Sequence, residues 1–294
     1  MYDTIVGLGR FGSQIASKFK FLFNTEILII DADDKCKEKS FIRVEKCATH
    51  EGYEKLGVVI PNKHAMQDKH VLFCVCGVST VSGLTLSILE QLKKNNNKIS
   101  ILYFYPEMSF LPKVKKMQHN VVFGVLQEYT RSGVFDEFLI VSEKKISSII
   151  PGITLVNKYD KIDDFLCQTV GQVLYYQNQE QLLMGNHPQF TEHYRIGTLG
   201  VMNPETGEEF PFFDLSLVND LDSDNVFVMP DEKHYYYIVP QKEAEENTEL
   251  SQKLFDLFDK KVKNKERITF SVHSSEKNTQ DYSCFIHKTS NIQK

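Results

Sequence analysis

The sequence predicts an α/β fold in three parts. Residues 1–158 form a doubly wound, mostly parallel sheet, 159–184 a long central helix, and 185–294 a smaller α+β domain. Three observations carry this. Apolar strand-like runs alternate with helical stretches over roughly the first 150 residues, the order of a parallel sheet with helices on its faces. From Tyr159 the pattern changes: Ile162, Phe165, Leu166, Thr169, Val170, Val173 and Leu174 recur at i, i+3, i+4, i+7, i+8, i+11 and i+12, one face of a long amphipathic helix. Beyond it, strands and helices follow without that regular alternation.

In order, Tyr2–Val6 reads as a strand and Gly7–Gly12 as a glycine turn. Phe11, Ile15 and Phe19 recur at helical spacing after it. Strands follow at Glu26–Ile30 and Phe41–Val44. Val71–Cys76 is almost wholly apolar, as a central parallel strand should be. Gly77–Gly83 is a second small-residue turn. Leu84–Lys94 then reads as a helix with Leu86, Leu89 and Leu92 toward the core. Ile99–Tyr105 is a strand, Pro112–Arg131 a helix, and Phe138–Val141 a strand. The long helix is expected to reach Leu183, where Gly185–Pro188 breaks it. Then come the strand Tyr235–Val239, the acidic linker Glu243–Glu249, the helix Leu250–Val262, and the strands Ile268–Val272 and Tyr282–His287, joined by a polar turn at Ser274–Gln280.

The 294 residues are 41% hydrophobic and 25% charged, the proportions of an ordinary globular protein large enough to bury a substantial core. A net charge of −5 argues against direct nucleic-acid binding. No stretch approaches the ~20 apolar residues of a membrane span, and the N-terminus does not read as a signal peptide. Cys36, Cys47, Cys74, Cys76, Cys167 and Cys284 lack the spacing of a disulfide framework or a metal site. Reduced thiols and a cytoplasmic location are expected.

Chemistry is concentrated in the two turns. A glycine turn between strand and helix exposes backbone N–H groups at a helix N-terminus, where phosphate binds well. Gly7-Leu8-Gly9-Arg10-Phe11-Gly12 has the form G-x-G-x-x-G, and Asp31 closes the next strand. Alone, that half fits a Rossmann-type module that binds NAD or an adenine nucleotide, with Asp31 on a ribose, and resembles the potassium-channel regulatory RCK/TrkA-N domain. That module has no use for the second turn, Gly77-Val78-Ser79-Thr80-Val81-Ser82-Gly83.

Taken together, the two turns resemble the tubulin/FtsZ superfamily, and the chain is similar to a divergent FtsZ- or TubZ-like protein. Gly9-Arg10-Phe11-Gly12-Ser13-Gln14-Ile15 is similar to the family's G-x-x-G-N-Q-I segment. Gly77, Thr80, Ser82 and Gly83 stand in register with G-G-G-T-G-[ST]-G. Val125–Tyr129, Arg131–Asp136 and Phe138–Val141 resemble the helix and strand that lead to the family's guanine site. The order of elements after Tyr235 matches its second domain.

The resemblance implies GTP or GDP as ligand, with Mg²⁺. Gly9, Arg10, Phe11, Gly12, Ser13 and the run Gly77, Val78, Ser79, Thr80, Val81, Ser82, Gly83 would cradle the phosphates. Tyr159 would stack on guanine and Asp163, one helical turn on, would pair with its N1–H and N2–H₂. The bland alternative is that Tyr159 packs on the sheet and Asp163 is a solvated helix residue. Glu143 stands where the family places a guanine-reading Asn. The chain departs further at Thr49–Leu56, where the γ-phosphate loop would fall, with Gly52 its one glycine. In the loop after the central helix, of family form N-x-D-x-x-D/E, Asn186 and Glu192 are the catalytic candidates, while Pro188 and Thr191 stand where acids are expected. The implied function is head-to-tail self-assembly into cytoskeletal filaments, with an adaptor or cargo as further partner. Hydrolysis at the subunit interface by such a degenerate GTPase loop would be slow, absent, or carried by Glu192, because positioning is most of phosphoryl-transfer catalysis. Two alternatives stand beside it: the non-catalytic Rossmann module, and a degenerate tubulin-like scaffold that binds nothing.

Overall fold

The computed structural model describes residues 2–33, 39–61, 66–177, 179–183, 195–218, 231–262, 267–275 and 282–290. Two compact units divide the chain, Met1–Cys167 and Gln168–Lys294, so the boundary falls inside the long helix.

In the first unit, the fully buried run Thr4–Leu8 forms β1. It feeds α1 (Gly9–Phe23), which ends at Asn24 in the left-handed conformation. Then come β2 (Glu26–Asp31) and β3 (Phe41–Arg43). The stretch expected as a γ-phosphate loop is instead a helix, α2 (His50–Leu56), because the Thr49 hydroxyl caps it by accepting the Gly52 N–H at 3.1 Å. After β4 (His70–Val75) the second turn winds into a 3-10 turn, Thr80–Leu84, that leads into α3 (Thr85–Lys94). The core face of α3 is Ile88, Leu89 and Leu92; Leu86, expected inward, is exposed. β5 (Lys98–Tyr105), α4 (Lys113–Arg131) and β6 (Glu137–Ser142) follow as the sequence predicts. An additional helix, α5 (Glu143–Ile149), starts where Ser142 accepts the Lys145 N–H.

All pairings in this unit are parallel and run in the order β3-β2-β1-β4-β5-β6. The chain leaves β1 toward β2 and leaves β4 toward β5, in opposite directions. The crevice at the C-terminal ends of β1 and β4 is therefore the topological switch point, the usual ligand position in such sheets.

The long helix is α6 (Lys158–Tyr176), shorter than expected. Leu182 donates its N–H to Val272 O at 2.7 Å and Leu183 bridges Val272, so strand pairing captures the segment that would have prolonged the helix.

The second unit contains β7 (Ile196–Met202), which the sequence did not announce because Gly197 and Gly200 interrupt its pattern, and the short β8 (Glu209–Pro211). β9 (Glu232–Pro240) is followed by α7 (Gln241–Glu246), a helix that overlaps the first half of the expected linker, and by α8 (Leu250–Val262). β10 (Arg267–Ser275) and β11 (Ser283–Ser290) complete it. β10 pairs parallel with β9, β9 antiparallel with β11, β11 antiparallel with β7, and β7 antiparallel with β8. α8 packs Leu254 and Phe258 on Tyr235, Tyr237, Val239 and Val272, and Phe258 stacks on Phe270 at 4.3 Å. The described cysteines are all free, and Cys36 lies outside the described residues.

Candidate nucleotide site

The two glycine turns meet. Gly9 opens α1 with φ +69°, and a Cβ placed on it would lie 2.8 Å from Val81 Cγ1 and 3.1 Å from Ser79 Oγ. Only a residue without a side chain allows both the left-handed backbone and this approach. Gly12, one turn into α1, lies against the sheet: a Cβ there would collide with the Cys74 carbonyl and stand 2.9 Å from Gly7 Cα. The first turn of α1 and that of the 3-10 segment contain no acidic residue. Two positive helix ends therefore face the crevice without compensation.

The second turn is held rigidly from below. Gln118 donates to the carbonyls of Gly77, at 2.9 Å, and Ser79; Lys115 Nζ donates to Val78 O at 2.9 Å. Ser82 Oγ lies 2.7 Å from Ser79 O and 3.1 Å from Gly77 O, so its hydroxyl serves the turn itself. Val78, Ser79 and Thr80 are half-buried and face outward more than their neighbours. Beneath Gly77 lies Tyr103, whose hydroxyl is 2.8 Å from His119 Nδ1. Burial pushes the His119 imidazole down to about 4, so it is neutral at physiological pH. In the first turn, Phe11 stacks on Phe104 at 4.7 Å and so anchors α1. Ser13 neighbours the half-buried Asp31 carboxyl, which burial pushes up and whose Oδ1 accepts the Ala32 N–H at 2.7 Å.

At the other end of the crevice, α6 begins with Lys158 and Tyr159. Tyr159 is 45% exposed, and Arg10 Cζ and Lys158 Nζ lie 5.6 and 5.7 Å from its ring centroid. This is an open aromatic platform linked to the first turn by a cation–π contact. Asp163 is only 2% exposed, so it is not a solvated helix residue. Its Oδ2 is buried with no hydrogen-bond partner. Burial pushes its carboxyl up to about 7; Lys18 pulls the other way, Asp160 and Asp164 push further up, and Arg10 pulls down. α6 is fixed against α1 by the Lys18–Asp164 ion pair and by Cys167 Sγ, 3.8 Å from Ile15 O.

Glu143 is buried and engaged by the chain itself. Oε1 accepts from Lys158 Nζ at 2.6 Å and from the Tyr159 hydroxyl at 3.4 Å, and Oε2 accepts the Glu107 N–H at 3.0 Å. The structure thus brings Gly9–Ser13, Gly77–Gly83, Glu143, Tyr159 and Asp163 into one unit. Asn186 and Glu192, with the rest of their loop, lie outside the described residues. Sequence reasoning missed Lys115, Gln118 and Lys158. Nothing local marks the first two, on a helix already rich in lysine, whereas Lys158 directly precedes the aromatic platform. Among the described residues no group of three His, Cys, Asp or Glu could hold a metal, and no helix is long and apolar enough to cross a membrane.

Two abutting glycine turns at the switch point of a parallel sheet, with a long helix whose first turn borders them, define a tubulin/FtsZ-like fold. Solved structures bear this out. An empty FtsZ dimer from M. jannaschii superposes with a TM-score of 0.67 at 14% identity, covering 99% of this chain and 88% of that one. The GTPγS-form TubZ protofilament of Bacillus thuringiensis serovar israelensis gives 0.63 at 10% identity, covering 98% and 86%. A four-stranded TubZ-Bt filament gives 0.63 at 11%, covering 100% and 87%. No family model matches the sequence, and no curated protein matches it.

Proposed function

We propose that the chain binds GTP and GDP and assembles head to tail with copies of itself in the cytoplasm. The observation that carries this is Asp163. A buried carboxylate oxygen without a partner is costly. Here it sits one helical turn from an open aromatic ring and within electrostatic reach of Arg10 in the first glycine turn. Guanine supplies what is missing: N1–H and N2–H₂ donate to Asp163 while the purine lies on Tyr159, and adenine presents no such donor pair. The phosphates take backbone N–H groups of residues 9–11 and 80–81 and the hydroxyls of Ser79 and Thr80. Mg²⁺ enters with the phosphates, as is usual for this ion.

Self-assembly is supported by the TubZ filament structures that share the fold and by a row of apolar side chains left in solvent on and just before α4. Phe110, Val114, Met117 and Val121 are all exposed at helical spacing. Contiguous exposed apolar surface marks interaction sites. Turnover of GTP is slow in this proposal, because Pro188 and Thr191 replace the acids that would orient water.

A thermal-shift panel of GTP, GDP, ATP and NAD with Mg²⁺ tests the binding. GTP and GDP alone should raise the melting temperature, by about 2.7 kcal/mol of stabilisation at a hundredfold excess over Kd. A shift with NAD or ATP alone would replace the proposal with the Rossmann module. Sedimentation with GTP should then pellet polymer; a monomer at all concentrations would remove the assembly claim.

A further inference from the structure

α4 is apolar on two faces. Val122 and Leu126 lie in the core, yet Val114, Met117 and Val121 stand in solvent on the other face, and Phe110 precedes them in the turn before the helix. A helix apolar on its outer face as well as its inner one is one that something covers on both. The outer row has a definite period. Phe110, Val114, Met117, Val121 and Gly124 follow at steps of 4, 3, 4 and 3 residues, the seam of a two-helix coiled coil. Gly124 is the telling member. Glycine inside a helix is unfavourable relative to alanine. Among the described residues nothing lies within 4 Å of a Cβ placed there, so the fold of one subunit makes no use of the bare backbone.

The two ends of the row differ in charge. Lys113 opens α4 and is exposed. Glu128 stands near the other end; it meets Arg131 at 3.0 Å, yet 70% of its side chain remains in solvent. A second α4 laid alongside in the reverse direction fits this row. Met117 then faces Val121, and Val114 faces Gly124, so the valine fills the room over the glycine. Lys113 comes to the partner's Glu128, and the helix dipoles oppose favourably. Laid in the same direction, Lys113 would meet a second Lys113, and Gly124 would face Gly124 across a void. Size and charge along α4 therefore select a reversed copy of α4 itself.

We propose that α4 pairs antiparallel with α4 of a second copy about a two-fold axis near residue 119, with Val114, Met117, Val121 and Gly124 as its seam. Such a contact is isologous and closes at two subunits. It differs in kind from the head-to-tail joint, which brings together two unlike surfaces, and it requires no nucleotide. One helix against one helix is a small interface, so free subunits exchange and the pair is best read by trapping it.

Disulfide trapping of the full chain without nucleotide tests it. Asn120 is exposed beside the axis, so in Asn120→Cys the new thiol meets its own copy. Mild oxidation should yield a covalent dimer and no larger species. Lys113→Cys should not cross-link to itself, because at 1.5 Å per residue the two copies of position 113 lie about 18 Å apart along the reversed helices. The wild type, oxidised alongside, gives the background from the chain's own cysteines. Met117→Glu added to Asn120→Cys should slow dimer formation about tenfold or more, because it buries an unpaired carboxylate in the seam. Urea unfolding of each variant shows that the fold is intact. Asn120→Cys at the wild-type background overturns the pairing. Equal cross-linking of positions 113 and 120 overturns its direction, and a rate untouched by Met117→Glu reduces it to chance collision. Sedimentation with GTP reads the head-to-tail proposal separately: polymer without the trapped dimer, or the dimer without polymer, removes one and leaves the other.

Discussion

Asp163→Asn should raise the melting temperature of the nucleotide-free chain at pH 8 while weakening GDP about a hundredfold. The carboxyl is held up to about 7, against roughly 3.9 when solvated. A carboxyl raised in the folded state favours folding below its unfolded value, and that contribution disappears as pH rises through the folded one. Ionised Asp163 therefore costs the empty protein up to about 4 kcal/mol above pH 7. Asparagine removes the charge but leaves an amide to satisfy, at a cost of about 1–3 kcal/mol. A net gain of about 2 kcal/mol corresponds to roughly 4–8 °C in a chain of this size. The signature is the pH dependence: variant and wild type should melt together near pH 5 and separate by pH 8. Parallel curves would show that Asp163 is not the strained group. The gain in stability and the loss of guanine share one cause, a buried acceptor that only a ligand satisfies.

Gly12→Ala should destabilise the first unit by more than about 3 kcal/mol, the scale of a core overpacked against backbone that cannot rotate away. The new methyl would meet the Cys74 carbonyl and Gly7 on adjacent strands, so α1 must lift from the sheet. Gly124→Ala in α4 is the control. Nothing lies within 4 Å of a Cβ there, and alanine is the better helix former by about 0.5–1 kcal/mol. Urea unfolding of the two variants should move in opposite directions. A Gly12→Ala chain of wild-type stability would mean that α1 does not pack as described.

Much of this was legible in the sequence for identifiable reasons. Val71–Cys76 could be read as a central strand because burial on both faces demands an unbroken apolar run. Tyr159 and Asp163 could be paired because i and i+4 share a helix face, though only the fold shows that Asp163 is buried and Tyr159 open. The rest depended on contacts distant in the chain. The end of α6 is decided by Val272, far from the helical pattern that predicted continuation to Leu183. Glu143 could be marked in the sequence as the residue at the family's guanine-reading position, but only the fold brings Lys158 and the Glu107 N–H to its carboxylate. Lys115 sits among Lys113 and Lys116, and only the second turn singles it out. Leu86 followed the correct period and faces solvent, because the buried stripe of α3 is shifted to Ile88.

The position of β1 has a consequence for biosynthesis. Val6 pairs with Leu28 on one side and Phe73 on the other, so β1, translated before both of its partners, belongs in the middle of its sheet. β2 can join it early, but its second edge stays open until β4 has been translated, and that pair needs another parallel neighbour in β5. An apolar edge left open during synthesis invites the wrong strand. The nascent chain therefore passes through an interval in which a strand buried at every position of the finished fold stands with one edge open, and slowing elongation before β4 should lengthen that interval and lower the yield of folded protein.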